Sequence, residues 1–286
     1  MSKKEINSDT GFVDLHVHTC FSDSTFSPQE VVLTAQEKGL RAIAITDHDC
    51  IDGISPCIRA AKNKPLEIIP GIELAVEVNN LEIHIIGLFI DYKAAWFIEK
   101  LKEIRGSRES RMRKMVKKLN DLGVDIKEQD VFVLKHDRGS VGRLHLARAL
   151  LQKKAVGSIK EAFGRYIGEN KPCYVKRMIV SPQESIRMIK KLGGIPILAH
   201  PGMQATDEFI PELIGYGLMG IEVYHTNHTE QISEHYRKLA KKYNLVLSGG
   251  SDCHGIGKGY PLIGKAKVPY QILDNLKIAR QKEFVD

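Results

Sequence analysis

The sequence predicts an α/β fold whose strands close into a barrel. Three features point to it: short apolar runs recur along the chain, capped helices stand between them, and histidines and carboxylates collect at the C-terminal ends of the runs, where an α/β barrel gathers the side chains of one site. The runs are residues 13–19, 42–47, 67–78, 83–90, 195–200, 219–225 and 245–251. Several are continuous rather than alternating, as expected of strands covered on both faces.

The first run ends in Asp14-Leu15-His16-Val17-His18-Thr19. Side chains alternate along a strand, so His16 and His18 project the same way, about 6–7 Å apart, and both can reach one cation. Asp23 follows in a short loop able to fold a carboxylate back over the strand end. A lone His-x-His is equally consistent with two ordinary strand histidines, so the rest of the chain must decide. Ser27-Pro28-Gln29-Glu30 then supplies a capping serine, a proline at the first helical position and an acid three residues after the cap, with Gly39 as the stop. Ser181-Pro182-Gln183-Glu184 repeats the signature, with Ile186, Ile189 and Leu192 as its apolar face and Gly193-Gly194 as the stop. Strand, capped helix and strand make right-handed βα units.

Between about residues 91 and 177 the alternation stops and the pattern is helical throughout, over 96–119, 142–151 and 158–166. This segment holds 22 Lys and Arg against 11 Asp and Glu, a surplus of +11 in a chain of net +7, which leaves −4 for the remainder. A single lysine or arginine here reads as part of a solvated helix face, but the imbalance as a whole attracts an anionic substrate. Residues 1–90 and 178–286 are thus expected to form the barrel, and 91–177 a basic helical insertion that caps the substrate.

With 286 residues, 43% of them hydrophobic, the chain can bury a barrel-sized core. Met1-Ser2-Lys3-Lys4-Glu5 is polar and leads straight into the first strand, and no apolar run approaches the ~18 residues of a membrane span, so a cytoplasmic location is the default expectation. Five cysteines without a Cys-x-x-Cys pair argue against a disulfide framework. Cys20, Cys50 and Cys253 lie beside candidate ligands, yet oxygen and imidazole donors already suffice.

Those donors recur at run ends: His48 in Thr46-Asp47-His48-Asp49, Glu73 in Pro70-Gly71-Ile72-Glu73, His84 in Glu82-Ile83-His84, His200 in Ala199-His200-Pro201, and Asp252 and His254 in Ser251-Asp252-Cys253-His254-Gly255. With His16, His18 and Asp23 they make nine candidate metal ligands, six histidines and three carboxylates. Asp47 is a candidate to orient an imidazole; Asp49 reads as a turn or helix cap.

Together these motifs resemble the four-motif signature of the PHP domain, named for polymerases and histidinol phosphatases, over nearly the whole chain. Gly142-Arg143-Leu144-His145-Leu146-Ala147-Arg148 and Gly220-Ile221-Glu222-Val223-Tyr224-His225 resemble its stand-alone bacterial branch, which includes the nucleoside 3′,5′-bisphosphate phosphatase and a 5′→3′ exoribonuclease. Ser24 stands where a glycine is usual and Leu144 where proline is frequent, departures that touch loops rather than ligands. The resemblance implies a distorted (β/α)7 barrel and three divalent metal ions. His16, His18, Glu73 and Asp252 would hold the first; Glu73 would bridge to a second held by His84 and His200; Asp23, His48 and His254 would hold the third. Manganese is the first choice, with Zn2+, Fe2+ or Mg2+ as alternatives.

A metal-bound hydroxide attacking phosphorus in line accounts for this ligand set without a serine or cysteine nucleophile. The expected substrate is a phosphorylated nucleotide, such as a 3′,5′-bisphosphate, or the 5′ end of a short RNA. Arg143 is the candidate for a phosphate contact, since a guanidinium binds two oxygens at once, with His145 beside it. His225 and His228 are candidates to contact phosphate, His225 also to protonate the leaving oxygen. A histidinol-phosphate-type phosphatase and a non-catalytic nucleotide- or RNA-binding metal module are the alternatives; no membrane and no stable protein partner are implied.

Overall fold

The computed structural model describes residues 11–79, 81–176, 180–203, 206–257 and 259–284. The polar start at Met1 to Glu5 and the expected end of the insertion at Arg177 lie outside them. The order is β1 (Phe12–Val17), α1 (Pro28–Glu37), β2 (Leu40–Ile45), α2 (Ile54–Ala60), β3 (Glu67–Val78) and β4 (Leu81–Leu88). Helices α3 (Ala95–Asp121), α4 (Glu128–Phe132), α5 (Arg143–Gln152) and α6 (Ile159–Ala162) follow, the last running into a π-helical turn, Phe163–Ile167. The chain then continues through α7 (Pro182–Lys191), β5 (Ile195–Leu198), α8 (Ile210–Gly215), β6 (Gly220–His225), α9 (Glu230–Tyr243), β7 (Val246–Gly250), β8 (Val268–Pro269) and α10 (Tyr270–Phe284).

All seven expected strands are present, and the expected caps operate. Ser27 accepts from Glu30 N while Glu30 accepts from Ser27 N, Ser181 accepts from Glu184 N, and Gly39 and Gly193 take the left-handed backbone that ends each helix. The 91–177 stretch is less uniformly helical than its periodicity predicts, because residues 133–142 and 168–176 are loops and turns.

The strands form one sheet in the order β7-β6-β5-β4-β3-β2-β1-β8. Its distortion has a local cause. Val78 pairs with Leu81, so β3 and β4 make a hairpin and must be antiparallel, since a parallel neighbour needs a crossover of a dozen residues or more. β5 is antiparallel to β4, and β5, β6 and β7 are parallel to one another. The two-residue β8, antiparallel to β1, was not foreseen. Beyond β7 the chain nearly closes the barrel: Asp252 N donates to His16 O at 2.9 Å and His18 N donates to Cys253 O at 3.1 Å. Gly250 makes that approach possible, because a Cβ there would lie 2.4 Å from His16 Cβ.

Alternate residues of each strand feed different cores. Ile43 and Ile45 of β2 and Ile83 and Ile85 of β4 join the layer under the helices, while Ala42, Ala44, Ile86 and Leu88 join a smaller cluster filled by Ile272, Leu273 and Leu276 of α10. A third cluster, including Met112, Met115, Leu119, Leu146, Leu150 and Ile167, belongs to the helical segment.

Asp14, fully buried, ties β1 to the segments after β7. Its Oδ1 accepts from Ser251 N and its Oδ2 from Gly264 N, each at 2.8 Å. Asp14→Ala would strand both buried donors and should lower stability by ~2–5 kcal/mol in urea unfolding; an unchanged midpoint would show that the closure does not depend on this carboxylate.

Candidate metal centre

The nine expected ligands converge at one end of the barrel. Glu73 is central and has no solvent exposure. Its Oε2 lies 3.3 Å from His16 Nε2, 3.2 Å from His18 Nε2 and 2.9 Å from His48 Nδ1, while its Oε1 lies 2.7 Å from His84 Nδ1 and 3.1 Å from His200 Nε2. Asp252 Oδ1 stands 3.1 Å from His18 Nε2 and 3.5 Å from His16 Nε2. On the far side Asp23 Oδ1 is 3.1 Å from His254 Nε2, and Asp23 Oδ2 is 3.9 Å from His48 Nε2.

Local backbone strain aims several of these groups. His200 and Asp252 adopt φ of +30° and +52°, and Asp49, next to His48, +47°. For residues other than glycine this is costly, and it persists where surroundings over-determine it. His200 N donates to Glu222 Oε2 at 2.7 Å and Asp252 N donates to His16 O, which fixes both turns.

The donor set fits divalent cations. His16 Nε2 and His18 Nε2 face each other at 3.1 Å, and three sets of ligand atoms each lie within 4.8 Å: His16, His18, Glu73 and Asp252; His18, Asp23, His48 and His254; and His48, Glu73 and His84. His48 Nδ1 and Glu73 Oε2 stand close, yet both are buried without an aligned hydrogen bond, as is Asp23 Oδ1. Burial opposes charge on Glu73, but His48, His84 and His16 hold its carboxyl well below the usual range. Burial also opposes protonation of His16, His18 and His84. Their carboxylate neighbours win: Glu222 and Glu73 raise His16 well above its ordinary value, Asp252 and Glu73 raise His18 to about 9, and Glu73 raises His84 to about 9. For His48 burial prevails and lowers the value to about 4. Protons on imidazoles thus balance the buried carboxylates, and a cation that took over that balance would release them.

One residue missed by the sequence reading is Glu222 of β6. It is fully buried, and its two oxygens lie 3.1 and 3.2 Å from His16 Nδ1, so the ring donates there and keeps Nε2 turned toward the cluster. A carboxylate inside an otherwise apolar strand was the available signal. Asp47 orients an imidazole only indirectly: it accepts from Thr19 N, Thr19 Oγ1 and Ser22 Oγ, and Ser22 Oγ in turn lies 3.4 Å from His18 Nδ1. Asp49, expected as a cap, forms a buried ion pair with Arg108 of α3 at 2.5 Å.

A cavity of about 380 Å3 opens over the cluster. Asp23, His48, Glu73, His84, His200, Asp252 and His254 form one side, and Arg108, Arg111 and Arg143 from the helical segment line another. Arg143 reaches Glu82 Oε1 at 3.3 Å between the rings of Phe163 and Tyr174. Burial opposes charge on Glu82, but His84, Arg143 and Arg111 hold its carboxyl well below the usual range. The other expected substrate groups are not on the cavity wall. His145 is buried, and its Nδ1 accepts from Gly142 N to fix the start of α5, while burial lowers its pKa to about 4. His225 sits behind His200 with ring centroids 5.8 Å apart, lowered to about 4 by burial. His228 bridges Val223 O and Gly202 N through its two ring nitrogens.

The PHP domain profile matches residues 14–101. A 5′-3′ exoribonuclease of Haemophilus influenzae is 33% identical over 84% of this chain and 89% of its own length. The chain belongs to the PHP-domain phosphoesterases. A 3′,5′-nucleoside bisphosphate phosphatase of Chromobacterium violaceum is 31% identical over 86% of this chain and 88% of its own length. A solved structure from Bifidobacterium adolescentis, assigned as a metal-dependent phosphoesterase, superposes with a TM-score of 0.85 at 27% identity, covering 94% of this chain and 96% of that one. As a PHP phosphoesterase this chain is a hydrolase with a buried His, Asp and Glu centre. Among the described residues no helix is long and apolar enough to cross a membrane.

Glu222→Gln would preserve shape while weakening the hold on the His16 tautomer. Metal affinity, measured by competition with a chelating indicator, should fall ~10–100-fold. Unaltered affinity would remove Glu222 from the centre's support.

Proposed function

We propose that this chain hydrolyses a phosphate ester of a nucleotide, either a nucleoside 3′,5′-bisphosphate or the 5′ end of a short RNA. The observation that carries the reading is one cavity with two chemistries: cation-binding carboxylates and imidazoles on one side, three arginines on another. Such a cavity suits a molecule with one phosphate at the metals and a second anionic group a short distance away. The named activities of the two relatives share that substrate feature.

Three divalent ions, manganese first, would be held by His16, His18, Glu73 and Asp252, by Glu73, His84 and His200, and by Asp23, His48 and His254. When bound, they supply Lewis acidity and lower the pKa of a water molecule. The protein's own contribution is placement. Glu222 sets the His16 ring, Asp47 and Ser22 set the loop before Asp23, and residues 91–177 cap the site with arginines. Arg143, pre-aligned by Glu82, takes the second phosphate. His145 acts through the Gly142 turn that precedes Arg143, and His228 through the backbone it bridges. His225, neutral at pH 7 once buried, is better suited to supporting its neighbouring rings than to delivering a proton.

His16→Ala or Asp252→Ala should abolish nearly all turnover with the fold intact by circular dichroism, because the apolar cores do not involve either side chain. Near wild-type hydrolysis by either metal-loaded variant would overturn the metal-dependent mechanism. Arg143→Ala should cost ~1.5–3 kcal/mol in kcat/KM on adenosine 3′,5′-bisphosphate, the size of a charge-assisted hydrogen bond, and leave p-nitrophenyl phosphate nearly unaffected. Equal losses on the two substrates would place Arg143 at the reacting phosphate.

A further inference from the structure

A second cavity, of about 570 Å3, lies beside the first and has no part in the chemistry described so far. Among the described residues none lines both, but three segments contribute neighbouring positions to the two linings. Phe21 lines the second and Asp23 the first; Asp52 lines the second and His48 the first; on α3, Arg105 lines the second and Arg108 the first, one helical turn away.

The lining of the second cavity is amphipathic and cationic. Its floor includes Ile51, Pro56, Ile98 and Leu101, with Tyr92 and His136 offering ring surface. His136 packs on Phe21 with ring centroids 3.9 Å apart, and Ser140 N donates to Phe21 O at 2.9 Å, so this wall is built rather than loose. Arg105 pairs with Asp52 at 2.9 Å. Arg59, Lys93 and Arg138 add three exposed cations around the opening, which leaves the cavity with a positive surplus. Apolar and aromatic surface within a ring of cations is the chemistry that holds bases and backbone phosphates of single-stranded nucleic acid.

We propose that the second cavity receives the 3′ continuation of a single-stranded RNA whose 5′ end occupies the metal-site cavity. The proposal rests on the nucleotide reading above, takes its RNA arm, and adds the place where the rest of the strand lies. A nucleoside bisphosphate is too short to use the second cavity, so the two substrates should respond differently to changes there.

The test is Arg59→Ala/Arg138→Ala in the full chain, both positions being exposed and outside the metal site. In the metal-loaded protein, binding of a fluorescein-labelled, 5′-phosphorylated ten-nucleotide single-stranded RNA with hydrolysis-resistant phosphorothioate linkages is followed by anisotropy across salt concentrations. The variant should bind roughly ten- to thirty-fold more weakly near 0.1 M salt, and the slope of log affinity against log salt should shrink by ~1.4, the release expected for two phosphate contacts on a single strand. With manganese, kcat/KM on adenosine 3′,5′-bisphosphate should stay unchanged, while KM for a 5′-phosphorylated RNA decamer rises. Equal RNA binding by variant and wild type, binding of an RNA duplex as tight as the single strand, or equal loss on the bisphosphate would each overturn the proposal. Arginine-dependent RNA binding by an enzyme that hydrolyses neither substrate would uphold the cavity assignment and overturn the nucleotide phosphoesterase reading instead.

Discussion

A carboxylate with no access to water cannot remain ionised in an apolar barrel, because transfer of an unpaired charge out of water costs far more than a domain's whole stability. Glu73 is in that position, and the structure around it is an answer to the problem. Imidazoles from β1, from β4 and from the turns after β2 and β5 come within about 3 Å of its two oxygens. Bringing them there requires the chain after β7 to close on β1, which needs Gly250, Asp14 and the left-handed turn at Asp252. Each strained residue costs ~1–3 kcal/mol, which the apolar clusters on both faces of the sheet offset.

Much of this was legible in the sequence, for identifiable reasons. Strand patterns and serine caps are local, and both read through to the structure. The nine donors were legible because each lies in or close after an apolar run. What was hidden depends on contacts distant in sequence. Asp14 gives no sign that it reaches Ser251 and Gly264, more than 230 residues away. Glu222 was passed over within an apolar strand, and its partner His16 lies 206 residues from it. The reversal of β4 was written in the two-residue gap after Val78, but run spacing alone does not give strand direction. His145, His225 and His228 were singled out by residue type; the first two are buried and His228 is partly so, held by Val223 O and Gly202 N.

The basic surplus of the helical segment also takes a more specific form than composition conveys. Arg105, Arg108 and Arg111 each meet a carboxylate, from Asp52, Asp49 and Glu82 respectively. Such pairs add little net field at a distance. What they provide is geometry, since a guanidinium already anchored on one edge presents its remaining N–H groups in a fixed direction.

Helix α3 runs through both environments. Phe97, Leu101 and Ile104 near its start are buried in the barrel's core, whereas Met112, Met115 and Leu119 near its end are buried in the helical segment's core. The arginines that reach the cavities lie between these two anchors. A helix turns about 100° per residue, so the angular phase between its two apolar stripes is fixed by the number of residues separating them. Arg105, Arg108 and Arg111 therefore work as teeth on a shaft clamped at both ends. One residue added or removed between Ile104 and Met112 would leave both sets of core side chains intact, yet it would force either one core out of register or the arginines away from the site. The length of this segment is thereby constrained more tightly than the identity of most residues on it.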